Sequence, residues 1–159
     1  MNKPSLLKAF EAKIASDLKV LTQAALAARG AAIHAESKAE DQYDTRGLEA
    51  SYLAGAQSKR AAELQELLDL FRYIDVKQFG PTTPISATAV FELGIEGKRS
   101  HYLLMPKGGG MSVPFEGKTI LTVGPQSPLG EAILGRTLGD FVELVVQGAS
   151  REGEITAVW

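Results

Sequence analysis

A chain of 159 residues with 45% hydrophobic and 23% charged content has room for one ordinary domain or two small ones, and it is not the composition of a disordered chain. The formal net charge is -2; residues 1–79 hold eleven Lys or Arg against eleven Asp or Glu, and the remainder holds six against eight. Neither half therefore carries the basic footprint of an autonomous DNA binder, and the absence of cysteine removes disulfides, thiolate metal sites and a cysteine nucleophile together.

At the N-terminus, Lys8, Glu11, Lys13 and Asp17 interrupt any apolar stretch that could act as a signal or membrane span, so a cytoplasmic protein with no membrane partner is expected. Leu7, Phe10, Ile14, Leu18, Leu21, Ala25, Ala28, Ala32 and Ala35 then follow steps of three and four, the spacing of a coiled-coil seam. After a polar break, Leu53, Gln57, Arg60, Leu64, Leu67, Phe71 and Ile74 resume that spacing. Two helices pairing antiparallel through a connection of about ten residues is the simplest arrangement. The seam is broad at the Leu7 and Phe71 end and nearly all alanine toward Ala35, which predicts a slender distal end. A helix from near Pro4 to near Ser37 would run roughly 50 Å, longer than its own core needs, so reach is the expected use of the rod.

The interval at about 36–47 holds the densest acidic cluster, with Glu40, Asp41 and Asp44 filling three of five central positions. Crowded carboxylates raise one another's pKa unless a cation joins them, and Mg²⁺ commonly takes one or two carboxylates while completing its shell with water and phosphate oxygens. Asp41 and Asp44 are the candidate metal ligands. Against this stands a plain alternative, in which Asp44 or Thr45 caps the second helix and Glu36 and Lys38 are solvated flank.

Composition changes near Phe79-Gly80-Pro81: only three of sixteen glycines and one of seven prolines precede Gly80. The expected division is a hairpin over 1–76 and a second domain over 77–159. Downstream, strands are predicted at Ile85–Leu93, Arg99–Met105, Lys118–Val123, Phe141–Val146 and Glu154–Trp159, with one helix around Pro128–Leu134. Ile85, Ala87, Ala89, Phe91 and Leu93 alternate with Ser86, Thr88 and Glu92, as in a sheet with one covered face. The fold class is α+β. Among weaker patterns, Gly130 to Thr137 nearly spells a phosphate loop with Arg136 in place of lysine, and Gly108-Gly109-Gly110 reads as a strand connection. His34 and His101 stand isolated, without a ligand set.

The run Gln126-Ser127-Pro128-Leu129-Gly130-Glu131-Ala132-Ile133-Leu134-Gly135-Arg136-Thr137-Leu138-Gly139-Asp140-Phe141-Val142 resembles the C-terminal domain of bacterial GreA/GreB-like transcription elongation factors. The final Glu154-Ile155-Thr156-Ala157-Val158 is similar to that domain's last strand, and the N-terminal hairpin matches the family's coiled coil in length and position. The resemblance implies an FKBP-like second domain that docks on RNA polymerase, and a hairpin inserted through the secondary channel. It also implies that Glu40, Asp41 and Asp44 assist polymerase's own Mg²⁺-dependent cleavage of backtracked RNA, touching the nascent RNA 3′ end only indirectly and without activity of their own. Gln126, Ser127 and Pro128 match the family's polymerase-docking segment. The tip departs from the family's D-L-x-E-N pattern: matched without gaps, Glu40 falls on the first acid and Tyr43 on the second. That departure leaves open a non-cleaving regulator of the same channel, and a coiled-coil adaptor for an unrelated protein is the reading from another class.

Overall fold

The computed structural model describes residues 1–37, 46–146 and 148–159. The order is α1 (Lys3–Ser37), α2 (Arg46–Tyr73), β1 (Val90–Ile95), β2 (Lys98–Leu104), β3 (Ser112–Phe115), β4 (Lys118–Val123), α3 (Pro128–Ile133), β5 (Phe141–Val146) and β6 (Ala149–Val158). Two compact units result, one of Glu11–Arg72 and the other of Met1–Phe10 with Tyr73–Trp159. No helix among the described residues is long and apolar enough to cross a membrane.

Within Glu11–Arg72 the helices run antiparallel. Arg72 Nε, near the end of α2, lies 3.9 Å from Glu11 Oε2 near the start of α1, so the chain has reversed between them. On α1 the expected seam holds as far as Ala28, with Ile14 buried and Leu18, Leu21, Ala25 and Ala28 half-buried; the side chains of Ala32 and Ala35 lie outside the described residues. On α2 Gln57, Leu64, Leu67 and Phe71 turn inward as expected, but the seam departs from expectation at other positions. Leu53, at 54% exposed, and Arg60 face solvent, while Ala54, Gln57, Ala61, Leu64, Leu68 and Phe71 turn inward. These positions also step by three and four, but they place alanine where leucine and arginine were expected. Small side chains on both helices are what permits two backbones to approach closely, so packing distance outweighed side-chain size in choosing the inward stripe.

The other unit is a six-stranded mixed sheet in the order β3-β4-β2-β1-β6-β5. Neighbours pair antiparallel except β2 with β4, which run parallel because the chain leaves β2, adds β3 at the edge and returns. The β1–β2 and β3–β4 hairpins both turn on Glu-Gly pairs, Glu96-Gly97 and Glu116-Gly117, with positive φ at each residue as a type I′ turn requires. One sheet face carries Phe91, Leu93, Leu104, Val123, Val142, Leu144 and Ile155, and α3 covers it with Ile133, Leu129 and Ala132. The expected α+β class and the covering helix are thus present.

Two sequence expectations fail here. The run before Val90 is not strand, because Thr88 adopts φ 73 in a turn and breaks the alternation that begins at Ile85. A threonine in the left-handed region is strained, and this one is anchored on three sides. Lys77 N donates to Thr88 Oγ1 at 3.1 Å, Thr88 N donates to Leu104 O at 2.8 Å, and Lys3 Nζ donates to Thr88 O at 3.4 Å. Lys3 also donates to Lys77 O and lies 4.6 Å from the centre of the Phe79 ring; its burial pushes the ammonium pKa down. The second is β3, a four-residue strand holding Pro114 that is absent from the predicted strands.

Candidate functional site

Of the predicted site residues, Glu40, Asp41 and Asp44 lie outside the described residues, and so do their surroundings at the end of the hairpin. Among the described residues no three His, Asp or Glu side chains come together as a metal site.

Gln126, Ser127 and Pro128 are described, and they form the entrance to α3. Ser127 has extended backbone at φ -80 and ψ 155, and its Oγ accepts from Gly130 N at 3.0 Å while donating to Gly124 O at 2.8 Å. It is therefore an N-cap, satisfying an amide that the first helical turn leaves free. Pro128 follows at the start of the helix, where its missing N–H costs nothing and its fixed φ is already helical. Gly130 is dictated by space: a Cβ there would lie 1.9 Å from Gly124 O. The amide of Gly130 is committed to Ser127, which removes it from any phosphate-binding role that the near-match of Gly130 to Thr137 suggested. Downstream, Asp140 Oδ2 accepts from Thr137 N at 2.7 Å and from Thr137 Oγ1 at 3.1 Å, closing the turn into β5. Gly135 and Gly139, at φ 79 and 85, provide the left-handed bends on either side of that turn.

The residues of this run thus have structural duties of their own, and their arrangement leaves Gln126 and Pro128 exposed beside a half-buried Ser127. The result is a rigid shoulder. A cap, a proline and a glycine wedge fix its backbone.

A second cluster escaped the sequence reading. Glu92 on β1 was expected on the solvent face, but its carboxylate is buried in a ring of polar neighbours. Thr156 Oγ1 donates to Glu92 Oε1 at 2.7 Å, His101 Nε2 lies 2.8 Å from Oε2, Arg99 Nη1 lies 3.4 Å from Oε1 and Lys118 Nζ lies 3.9 Å from Oε2. The His101 approach is close but off-line, so it is an electrostatic contact and not an aligned hydrogen bond. The Thr156 hydroxyl is the main cause holding the Glu92 carboxyl below the usual range; burial opposes it, and His101, Arg99 and Lys118 add to it. Trp159 finishes the cluster, with its ring 6.3 Å from His101 and Lys118 Nζ 5.3 Å from its centre.

His101, isolated in sequence, is therefore opposite Glu92 in the β1–β2 register. Only strand register could have revealed this, since the two are nine positions apart on different strands. The arrangement joins four strands around a single carboxylate.

No family model matches the chain. Transcription elongation factor GreA of Syntrophus aciditrophicus (strain SB) is 28% identical over 127 residues, covering 79% of this chain and 73% of that protein. Among solved structures, the GreA factor homolog 1 of Thermus thermophilus is 21% identical, covers 96% of each chain and has a TM-score of 0.39. The prokaryotic GreA/GreB elongation factor of Nitrosomonas europaea is 20% identical over 60% of this chain and 78% of that one, with a TM-score of 0.38. The stretch similar to GreA, at 127 residues, is longer than either the hairpin or the sheet domain, so it includes parts of both. Over most of its length the chain is thus similar in sequence to a GreA transcription elongation factor.

Proposed function

We propose that this protein is a cytoplasmic transcription elongation factor that acts on RNA polymerase and stimulates cleavage of backtracked RNA. The observation that carries the reading is the 28% identity to an elongation factor, which extends across the hairpin and the sheet domain together. The sheet domain docks through the shoulder at Gln126, Ser127 and Pro128, and the two-helix arm enters the secondary channel. Glu40, Asp41 and Asp44 then reach an active centre that belongs to polymerase. The chemistry is metal-assisted phosphodiester hydrolysis. Asp41 and Asp44 help hold a second Mg²⁺ and orient the attacking water, and Glu40 adds negative charge, while polymerase supplies the first metal. The factor has no hydrolytic activity alone, because half of the catalytic centre is not its own.

The surface of the arm fits such use. Leu26 and Ile33 on α1, and Tyr52 and Leu53 on α2, are large apolar side chains left exposed in the distal half of the hairpin. Exposed apolar surface on an arm with so thin a core is suited to burial against a partner.

A backtracked elongation complex with end-labelled RNA tests the proposal. Added protein at saturating Mg²⁺ should shorten the transcript at its 3′ end, and Asp41→Asn combined with Asp44→Asn should abolish shortening while leaving polymerase binding intact. A transcript unchanged by the wild-type protein would overturn cleavage. The placement of Tyr43 on the second acid of the family's tip pattern favours a second reading, a regulator that occupies the channel without cleaving. That reading predicts competition with a cleavage-active factor and slower nucleotide addition.

A further inference from the structure

At the end of the sheet opposite β3, β5 is an edge strand, paired with β6 on one side only. Along it Val142 and Leu144 point into the covered core, while Phe141, Glu143 and Val145 project from the other face. Phe141 is 57% exposed and Val145 74% exposed, although the two flank the strand's only charge. The register sets Glu154 opposite Phe141, Glu152 opposite Glu143 and Ser150 opposite Val145. Two carboxylates thus stand directly across from each other, a pairing that destabilises a sheet. The Glu143 carboxylate accepts a hydrogen bond from Ser150, but among the described residues the Glu152 and Glu154 carboxylates have no hydrogen-bond or ion-pair partner. Of the neighbouring cations, Arg99 is directed at Glu92 and Arg151 at Glu96, while Arg136, which lines a cavity with Glu143 and Glu152, forms no ion pair with them and donates its Nε to Ala132 O. A shallow cavity of about 380 Å³, lined by Phe141, Glu152, Glu154 and Thr156 among others, opens beside the strand.

Edge strands are normally blunted, and a charge in the middle of the edge is one way to do so. Glu143 blunts this one selectively. A second copy of the chain laid along β5 would read the same alternation and set Glu143 against Glu143, and nucleic acid would bring phosphates to three carboxylates. A strand with a cation at the central position would be attracted by the same group, and apolar residues two positions to either side would cover Phe141 and Val145.

We propose that β5 is a docking edge for a basic extended segment of a protein partner, with the pattern apolar-x-Lys/Arg-x-apolar, which adds as a seventh strand. The pattern is symmetric about its cation, so it serves a parallel or an antiparallel addition. Main-chain hydrogen bonds along β5 supply affinity; Glu143, with Glu152 behind it, supplies specificity. This surface is separate from the shoulder at Gln126–Pro128, and it requires nothing of the polymerase reading.

The test uses the full chain and a capped synthetic peptide with valine, lysine and valine at alternate positions and threonine between them. A matched peptide carries glutamate in place of lysine, and another is N-methylated along one backbone edge. Amide chemical shifts should move at residues 141–146 with the lysine peptide, which should bind at least about tenfold tighter than the glutamate peptide. Glu143→Lys, at an exposed position that leaves the core intact, should reverse that preference, and N-methylation should abolish binding. Equal binding of the two peptides, failure of Glu143→Lys to reverse the order, or shifts dispersed away from β5 would overturn the proposal. No binding at all would leave Glu143 as a guard against self-association and would overturn it equally.

Discussion

The hairpin and the sheet domain are stabilised in different ways. The sheet unit buries Phe91, Leu93, Leu104, Ile133 and Ile155 around one core and crosslinks four strands through Glu92. Among the described residues of the Glu11–Arg72 unit, Ile14, Leu68 and Phe71 are the buried hydrophobics, and beyond them the described seam narrows to half-buried alanines, leucines and Gln57. Gln57 even leaves its Oε1 buried and without a hydrogen-bond partner among the described residues. Burial per residue decides local stability, so the same chain joins a cooperative body to an arm that opens readily. Thinness is therefore gained at the expense of stability, a cost that fits the proposed enclosure of the arm by RNA polymerase.

Weakening each core in turn separates the two regions. Phe91→Ala removes a fully buried ring and should cost about 3–5 kcal/mol, unfolding the sheet domain well below the wild-type midpoint in denaturant. Leu21→Ala, in the half-buried seam, should cost about 1 kcal/mol and register only as faster hydrogen exchange in the hairpin. Equal losses from the two would contradict the contrast drawn here.

Gly130→Ala comes next. Its Cβ would meet Gly124 O, a backbone atom that cannot rotate away, so a loss of about 1–3 kcal/mol is expected, together with shifted amide signals at Gln126 and Ser127. Should the shoulder carry polymerase docking, this variant should also bind polymerase more weakly.

A smaller effect, about 1–2 kcal/mol, is expected for Glu92→Gln, and it carries a pH signature. The folded-state pKa of Glu92 is depressed, so near its titration range the unfolded chain binds more protons than the folded one. The stabilisation is complete above the ordinary glutamate value of about 4.3 and disappears as pH falls through the folded value. The stability gap between wild type and Glu92→Gln should accordingly be constant near neutrality and close in acid. A gap that widened on acidification would reverse the assignment.

The smallest effect has the opposite sign. A Cβ at Gly55 meets nothing within 4 Å in a helix interior, so Gly55→Ala should stabilise the hairpin by about 0.5–1 kcal/mol. Slower exchange in α2 with an unchanged sheet domain would sharpen the separation of the two regions.

Helix periodicity made the two-helix arm legible from sequence, because one repeat unites local conformation with the buried stripe. It did not fix which stripe of α2 faces inward: Leu53 and Arg60 matched the spacing as well as Ala54 and Ala61 did, and only close approach separates them. In the sheet domain the Ser-Pro-x-Gly run located α3 correctly, since cap, first-turn proline and spatially required glycine are all local signals. Thr88 broke the expected first strand through contacts with Lys3 and Lys77, which are remote in sequence and leave no local trace. The Glu92 cluster was invisible for the same reason: it assembles from four strands whose register no single strand encodes. The tip carboxylates, by contrast, rest on sequence alone, as they lie outside the described residues.

The chain has no cysteine, so Tyr43→Cys places a single thiol at the hairpin tip with the three carboxylates retained. A photoreactive group attached there, in a complex of this protein with backtracked RNA polymerase, measures the central claim directly. Crosslinks should form to the 3′ end of the nascent RNA and to polymerase residues at the catalytic metal, whether the factor cleaves or only occupies the channel. Crosslinks confined to the outer surface of polymerase, or their absence from the complex, would contradict an arm that carries its acids to another enzyme's active centre.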